Sequence, residues 1–252
     1  MAEAVSNQKI VVAVESTLIK ENVVPRKTVV YETLVEPTII RVATEKLKTQ
    51  LFTRFWLLKP KPEEIQFVSI DKYYEPYIVV SGKYLIDYYR ECRYSIRVDA
   101  QVKEVVLLNN KFTPEHFTRP STKGGTIKLE GEERIVNEAE SSFVLDGYGH
   151  DAKLKELPSA RPEKNPEEVI AEFGIEEVDQ NADVDFVRSR LVKRPNDIKR
   201  IVAETFETSE RVIIYTPRFR IVYKNTKTKE EKTLELDGVT SERIQQRKRT
   251  IP

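Results

Sequence analysis

The chain has 252 residues, of which 39% are hydrophobic and 33% are charged, and its net charge is +1. This composition is typical of a soluble globular protein, and the longest purely apolar run, residues 10–14, is far shorter than the roughly 20 residues that cross a bilayer. The single cysteine, Cys92, excludes an internal disulfide bond and favours a reducing environment, so we expect a cytoplasmic protein without a membrane partner.

The first predicted elements are strands. Residues 1–9 are small and polar and are expected to be disordered, whereas residues 10–19 and 28–35 have the apolar pattern of strands. Thr44 is suited to cap a helix that carries Leu47, Leu51 and Phe55. An alternative ends this helix near residue 52 and makes residues 55–58 a strand, so residues 44–58 stay open between helix and strand.

A helix–strand–hairpin segment, which we call copy 1, is predicted at about residues 54–105. Pro62-Glu63-Glu64 is typical of a helix start, because proline needs no N–H partner there and the carboxylates meet the positive end of the helix dipole. The space before Tyr74-Glu75-Pro76 allows about one helical turn. A long strand follows over residues 77–89, bent at residues 81–82, and residues 94–98 return as a second strand.

The middle of the chain mixes turns with one ambiguous segment. Residues 104–112 predict a hairpin around Asn109-Asn110, and residues 132–142 fit helix and strand equally well. Residues 143–145 predict a strand that ends in the turn Asp146-Gly147-Tyr148-Gly149. The prolines of residues 158–165 favour a linker, and a short helix is expected from Pro166 to Gly174.

A second segment, copy 2, is predicted at about residues 187–242. Pro195 precedes Ile198, Ile201, Val202 and Phe206, and their helical spacing predicts a helix over residues 195–208. Tyr215-Thr216-Pro217 then leads into a strand, a polar turn over residues 224–230 and a return strand over residues 233–236, closed by Asp237-Gly238. In the first of these strands, Phe219, Ile221 and Tyr223 form an apolar face opposite Arg218 and Arg220.

The shared order of helix, Tyr-x-Pro, hairpin and aspartate, with Asp99 in copy 1 at the place of Asp237 in copy 2, suggests an internal duplication. We therefore expect an α+β fold with two tandem related domains, each an antiparallel sheet with one or two helices. The predicted boundaries are residues 1–9 for a disordered start, 10–157 for the N-terminal α+β domain, 158–165 for the linker, 166–242 for the C-terminal αββ domain and 243–252 for a basic tail.

Copy 2 resembles a small αββ module that accompanies various ATPases and archaeal proteins of unknown role. The resemblance lies in Tyr215-Thr216-Pro217-Arg218-Phe219 followed by Asp237-Gly238-Val239-Thr240, and it covers about 60 residues, with a weaker match over residues 58–105. Where the module's pattern ends in glycine, this chain has Ser241. No catalytic residues come with that module, so the resemblance implies none here.

Residues that carry catalytic or metal chemistry are scarce. A structural zinc site normally needs four cysteine or histidine ligands, whereas the chain offers His116, His150 and Cys92 in separate segments. The stretch Gly147-Tyr148-Gly149-His150 faintly resembles a phosphate-binding loop, although a β-turn is the favoured interpretation. We therefore expect a protein that is not an enzyme and that has no catalytic residues, metal or cofactor.

Two groups of side chains are candidate contact residues. The interaction candidates are Tyr74, Tyr77, Tyr84, Tyr88, Arg218, Phe219 and Arg220, because tyrosine is enriched at protein interfaces and stacks on bases. The alternative is that these tyrosines belong to a half-buried sheet that uses residues of high β-propensity. The candidate contacts to phosphate or to an acidic partner are Arg243, Arg247, Lys248 and Arg249.

Charge is distributed unevenly along the chain. Residues 1–120 carry 18 basic and 15 acidic side chains, residues 121–186 carry 7 and 17, and residues 187–252 carry 17 and 9. The basic end either pairs with the acidic middle of the same chain or contacts nucleic acid. The leading hypothesis is a protein–protein adaptor or regulatory subunit of a larger assembly, with an unidentified protein partner, and the alternative is an RNA-, ribosome- or DNA-binding protein.

Overall fold

The computed structural model describes residues 18–53, 59–116, 124–153, 157–176, 178–179 and 181–244. The helical elements are α1 (Pro37–Glu45), α2 (Lys48–Leu51), a 3₁₀ turn (Pro62–Glu64), α3 (Pro166–Glu172) and α4 (Ala182–Leu191). The strands are β1 (Lys20–Val23), β2 (Lys27–Val30), β3 (Ile65–Val98), β4 (Val105–Leu107), β5 (Asn110–Phe112), β6 (Glu115–His116), β7 (Gly125–Asp146), β8 (Asp151–Ala152), β9 (Ile198–Asn225) and β10 (Glu231–Asp237). Among the described helices, none has the length and apolar character needed to cross a bilayer.

The predicted α+β fold with two tandem domains is wrong, because strands make up 53% of the structure and helices 16%. Three strands are unusually long: β3 has 34 residues, β9 has 28 and β7 has 22. They are neighbours in one sheet in the order β9–β3–β7. These strands absorb segments that the sequence pattern had assigned to helices, hairpins and turns.

The chain divides into two compact units, and each of the three long strands contributes residues to both. Unit 1 comprises residues 1–22, 83–140 and 191–207, and unit 2 comprises residues 23–82, 141–190 and 208–252. The domain and linker boundaries drawn from the sequence stay predictions.

In unit 1, one face of the β3 segment carries apolar and aromatic side chains that are buried. Tyr84, Ile86 and Tyr88 alternate along β3 and are buried, as expected for one face of a pleated strand. Ile127 of β7 and Phe206 of β9 are also buried. The β4–β5 hairpin is confirmed, but its turn lies one residue earlier than the predicted Asn109-Asn110, because Asn110 already pairs with Leu107. Leu108 and Asn109 take the positive φ angles that a two-residue hairpin turn requires.

The core of unit 2 forms where β9 pairs with β10. Leu234 lies opposite Ile221 and Leu236 opposite Phe219, and all four residues are buried. Ile40 of α1, Phe52, Ile65 and Tyr223 join them in one hydrophobic cluster. β2 pairs with β9 in parallel on the same sheet, with Val30 opposite Tyr215. The predicted hairpin of copy 2 is therefore confirmed.

The helix predicted over residues 195–208 is wrong, because these residues run into β9 from Ile198 onward. Glu204, Phe206 and Thr208 are buried while Glu207 and Ser209 are exposed, which is the two-residue alternation of a strand. The helical spacing of Ile198, Ile201 and Val202 misled the prediction, because β-branched residues also have high strand propensity.

Other local predictions meet mixed outcomes. The single turn predicted in copy 1 is confirmed as the 3₁₀ turn, and α3 ends near Gly174, which has a φ of +56°. The return strand predicted at residues 94–98 is wrong, because β3 continues through residues 81–82 and ends at Val98. Residues 132–142, left open by the sequence, belong to β7.

The predicted cap at Thr44 is also wrong, because α1 begins at Pro37 and Thr44 lies within it. Its hydroxyl is 2.8 Å from the hydroxyl of Tyr223. The helix α2 ends at Leu51, close to the alternative end predicted at residue 52. Several predicted features lie outside the described residues. They are Phe55, the strand predicted at residues 55–58, nearly all of the strand predicted at residues 10–19 and the start at residues 1–9. The second predicted strand is seen in part, as β2.

Both Tyr-x-Pro segments lie in the middle of long strands and not at strand entries. The hydroxyl of Thr216 donates a hydrogen bond of 3.2 Å to the carbonyl of Glu75, so the two segments are neighbours. A Cβ at Gly147 would lie 2.8 Å from Pro76, and a Cβ at Gly238 would lie 2.9 Å from Pro217. Each proline therefore packs against the glycine of an Asp-Gly turn so closely that only glycine fits.

In both Asp-Gly turns the aspartate carboxylate accepts the amide two residues later and one further amide of the turn. Asp146 accepts hydrogen bonds from the amides of Tyr148 and His150 at its carboxylate. Asp237 accepts them from the amides of Val239 and Thr240. The structural counterpart of Asp237-Gly238 is thus Asp146-Gly147, and not Asp99, which the sequence comparison had placed there.

Replacing Ser241 with glycine is expected to raise the free energy of unfolding by about 0.5–1 kcal/mol. Ser241 has a φ of +58°, a left-handed conformation that strains any residue with a Cβ. It occupies the position where the resembled module has glycine. Urea unfolding of S241G against wild type measures the effect. The control is T240G, which should lose stability because Thr240 has no positive φ to relieve. Equal losses in both variants would contradict the prediction.

Candidate protein-binding edge

Most of the predicted interaction residues lie inside the units. Tyr74, Tyr77, Tyr84, Tyr88, Arg218 and Phe219 are each at most 9% exposed. The hydroxyl of Tyr84 donates a 2.7 Å hydrogen bond to Glu204, and the hydroxyl of Tyr77 lies 3.0 Å from Arg218. As placed, these side chains contact residues of their own unit, which agrees with the alternative of a sheet of high β-propensity.

Arg218 and Arg220 were expected on one cationic face, but their surroundings differ. Arg218 is buried and binds the carboxylates of Glu75 and Asp237. The side chain of Arg220 is 47% exposed, pairs with Glu235 at 3.3 Å and stacks on the ring of Tyr73. The role of Arg220 as a contact residue therefore stays a prediction. Arg218 instead forms buried ion pairs within its own unit.

The predicted basic tail is seen only at its start. Arg243 is exposed, and a short bridge pairs its backbone with Leu236. Arg247, Lys248 and Arg249 lie outside the described residues, so their predicted contacts to phosphate or to an acidic partner stay predictions.

Some charges of the basic end pair with the acidic middle of the same chain. In unit 1, Lys199 lies 3.1 Å from Glu132, and Arg200 lies 3.2 Å from the same carboxylate. These two hydrogen bonds lower the pKa of Glu132. In unit 2, Arg211 and Asp183 form a buried pair with contacts of 2.8 Å. Part of the charge asymmetry is therefore compensated internally.

The Gly147-Tyr148-Gly149-His150 loop forms a turn, as the favoured interpretation had it. The amides of Tyr148 and His150 donate to the Asp146 carboxylate, and the amide of Gly149 donates to the Asp146 carbonyl at 2.9 Å. Three successive N–H groups are thus used within the turn, whereas a phosphate-binding loop needs such groups free.

One side of β7 is left unpaired over a long stretch. β3 lies along its other side, as shown by the contacts of Ser81 with Ser142 and of Pro76 with Gly147. On the side away from β3, β6 pairs with Gly125 and Thr126, and β8 pairs with Val144 and Leu145. Between these two pairings, residues 128–140 have no partner strand among the residues that the structure describes. We call this unpaired side of residues 128–140 the β7 edge.

Cross-strand ion pairs fix the β7 edge in place. Arg134 binds Asp87 of β3 through two contacts of 2.6 and 2.9 Å, and Arg90 binds Glu133 at 2.9 Å. The hydrogen bond from Arg134 lowers the pKa of Asp87, so the pair stays charged at neutral pH. The hydroxyl of Tyr94 adds a 2.8 Å hydrogen bond to Glu133. These contacts hold β7 in a single register against β3.

The β7–β8 hairpin shows which backbone N–H and C=O groups of β7 point to the open side, away from β3. The amide of Asp146 donates to the carbonyl of His150, so it points away from β3. Because amide direction alternates along a strand, the even-numbered residues from Glu140 back to Lys128 point their N–H and C=O groups to the open side. Val136, which is 57% exposed, stands in the middle of this series.

The β7 edge was not found from the sequence. The glutamate-rich stretch of residues 130–140 suits an exposed helix as well as a strand, so the pattern was ambiguous. Val136 and Ile135 were the available signal for a strand, since β-branched residues favour β structure. The missing information was the partner strand, β3, which lies distant in sequence.

Comparisons of the chain with protein-family models, with curated proteins and with solved structures find no match. Within the described ranges, no group of three histidine, cysteine, aspartate or glutamate side chains is placed to hold a metal ion.

Proposed function

We propose that this chain is a non-enzymatic protein-binding subunit of a larger cytoplasmic assembly, and that the β7 edge receives an extended segment of the partner as an added strand. The observation that carries the proposal is the row of unpaired backbone groups along residues 128–140, bounded at both ends by paired residues. An exposed edge of this kind is a ready template for strand addition.

The charges of the β7 edge favour a basic partner segment. Residues 128–140 contain five glutamates and two basic residues, which gives a net charge of −3. A second copy that paired β7 with β7 would set glutamates beside glutamates, and like charges on facing strands are destabilising. A segment with lysine or arginine at alternate positions would instead add ion pairs across the new strand pair.

The ion pairs that hold β7 against β3 in unit 1 also support strand addition at the β7 edge. The ion pairs between β3 and β7 fix the backbone before a partner arrives, so little conformational entropy is lost at the edge on binding. Natural sheets protect open edges with charged residues, which limits non-specific pairing. The glutamates therefore serve both to discourage self-association and to select a cationic partner.

Replacing Val136 with proline is expected to weaken partner binding at least about tenfold, because it removes an N–H that points to the open side. Proline is tolerated at such a position, since the bonds to β3 are made by the alternate residues. The partner is identified by affinity purification from the native cell with the wild-type chain as bait, followed by mass spectrometry. Titration of the purified partner then compares wild type with V136P.

The matched control is V136A, which shortens the same side chain and keeps the amide. The proposal requires that V136A bind like wild type and that V136P bind poorly while its thermal unfolding stays cooperative. Equal binding by both variants would exclude the β7 edge. Recovery of ribosomal proteins that is lost after nuclease treatment would instead support the alternative, a nucleic-acid-binding protein that uses the basic tail. A defined enzymatic turnover, abolished by one substitution, would overturn the non-enzymatic role.

A further inference from the structure

Unit 2 contains a cleft of about 620 Å³. This volume lies within the range of small-molecule sites, which are about 300–1,000 Å³. Aromatic side chains form much of its wall, namely Tyr73, Tyr74, Tyr148, Phe173 and Tyr215. The cleft belongs to unit 2, whereas the β7 edge belongs to unit 1.

Two aromatic rings and one ammonium group meet in this cleft. The rings of Tyr74 and Phe173 pack edge to face with their centroids 5.1 Å apart. The ammonium of Lys72 lies 5.1 Å from the Tyr74 centroid and 4.9 Å from the Phe173 centroid. Among the residues that the structure describes, no carboxylate pairs with Lys72. The positive charge is thus held against the wall of the cleft by the rings alone.

Tyr74 adds a second unused donor. The residue is 91% buried, being 9% exposed, and its hydroxyl has no hydrogen-bond partner among the described residues. A buried hydroxyl without a partner is destabilising, so such groups are rare in stable proteins. Because Lys72 and Tyr74 are two residues apart on β3, their side chains share one face of the strand. Two unsatisfied donors are therefore placed together beside apolar walls.

The distribution of charge selects the sign of the ligand. A cationic ligand would compete with Lys72 for the two ring faces. Of the carboxylates that line the cleft, Asp183 is bound by Arg211, and Asp179 accepts the amide of Asn181. Glu176 is exposed to solvent. The Lys72 ammonium and the Tyr74 hydroxyl are donors without a hydrogen-bond partner among the described residues, and an anion supplies the acceptors that they need.

We propose that this cleft of unit 2 binds a small organic anion with a planar aromatic body. The carboxylate, sulfonate or phosphate of the ligand accepts hydrogen bonds from Lys72 and Tyr74, and its aromatic body packs on Phe173 and the neighbouring apolar wall. The Gly147-Tyr148-Gly149 turn forms part of the lining and offers no free amide from residues 148–150, so the anion is held by side chains.

The test compares two fluorescent probes on the full-length chain. The anionic probe is 8-anilinonaphthalene-1-sulfonate, and the neutral probe is N-phenyl-1-naphthylamine, which has the same aromatic body without the sulfonate. Replacing Lys72 with methionine keeps the packing and removes the charge. We expect K72M to bind the anionic probe about tenfold more weakly than wild type, and to bind the neutral probe with unchanged affinity.

Lys46→Met is the matched control, since Lys46 is an exposed lysine of the same unit outside the cleft. A second variant, Y74F, removes the unused hydroxyl. We expect it to weaken binding of the anionic probe while its thermal stability stays equal to wild type or rises. Absence of binding by wild type, equal loss in K46M and K72M, or an equal effect of K72M on both probes would overturn the proposal. So would a Y74F variant that binds the anionic probe as wild type does.

Discussion

Replacing Arg218 with alanine is expected to lower the free energy of unfolding by about 3–5 kcal/mol. Arg218 is 3% exposed and binds Glu75 at 3.0 Å, the hydroxyl of Tyr77 at 3.0 Å and the carboxylate of Asp237. Removal of the guanidinium leaves Asp237 buried without its cation. Asp237 also accepts the amides that form the turn at Gly238, so the loss extends to the closing turn of the β9–β10 hairpin.

Arg220→Ala is the matched control for this prediction. The two arginines are separated by one residue on the same strand, but Arg220 is half exposed and its pair with Glu235 is accessible to solvent. Exposed pairs contribute about 0–1 kcal/mol, so R220A should unfold at nearly the same urea concentration as wild type. Equal losses in the two variants would show that burial of Arg218 has no special role. Urea unfolding followed by circular dichroism measures both.

The contrast between Arg218 and Arg220 shows what a sequence pattern supplies and what it omits. Alternation correctly predicted that Phe219, Ile221 and Tyr223 share a buried face and that β9 and β10 form a hairpin. The same two-residue alternation of side chains along the strand also predicted that Arg218 and Arg220 face outward together. The position of Glu75, more than a hundred residues earlier, decides that Arg218 is buried, and no local pattern contains that information.

The two Tyr-x-Pro segments show the same limit of sequence patterns at the scale of the fold. Their similarity is real in the structure, because Pro76 and Pro217 each pack against the glycine of an Asp-Gly turn. The sequence comparison found the prolines but assigned the wrong aspartate, Asp99, to copy 1, because it took residues 94–98 for the return strand of a hairpin, whereas they belong to β3. Copy 1 reaches its turn only after β7 has returned along β3. The two Tyr-x-Pro segments consequently lie on the neighbouring strands β3 and β9 and not in tandem domains.

The length of the strands is the other feature that the sequence did not supply. β3 passes through Ser81-Gly82, a pair that usually marks a bend or a break. In the structure, the hydroxyl of Ser81 instead lies 2.8 Å from that of Ser142 on β7. A cross-strand contact thus offsets the weak local preference. This contact joins residues 61 positions apart, whereas strand prediction uses only near neighbours.

Replacing Glu204 with glutamine is expected to lower the free energy of unfolding by about 2–3 kcal/mol. Glu204 is 3% exposed, receives two hydrogen bonds of 2.8 and 3.1 Å from the Arg194 Nε, a third of 2.5 Å from its Nη2, and one of 2.7 Å from the hydroxyl of Tyr84. A neutral amide cannot accept all of these bonds as strongly as a carboxylate does. The control is E207Q, which changes an exposed glutamate of the same strand and should have little effect.

The same carboxylate should make unit 1 sensitive to acid. Burial alone would raise the pKa of Glu204, but the hydrogen bonds from Arg194 and Tyr84 outweigh burial and hold the pKa below its ordinary value of 4.5. A carboxylate with a lowered pKa in the folded state contributes stability above its ordinary pKa and loses that contribution as the pH falls through the folded value. Wild type should therefore lose stability below about pH 4.5 more steeply than E204Q, which has no proton to take up at this position. Parallel pH profiles of the two proteins would mean that the Arg194–Glu204–Tyr84 contacts form equally well with a neutral side chain, and that the charge of Glu204 contributes nothing to folding.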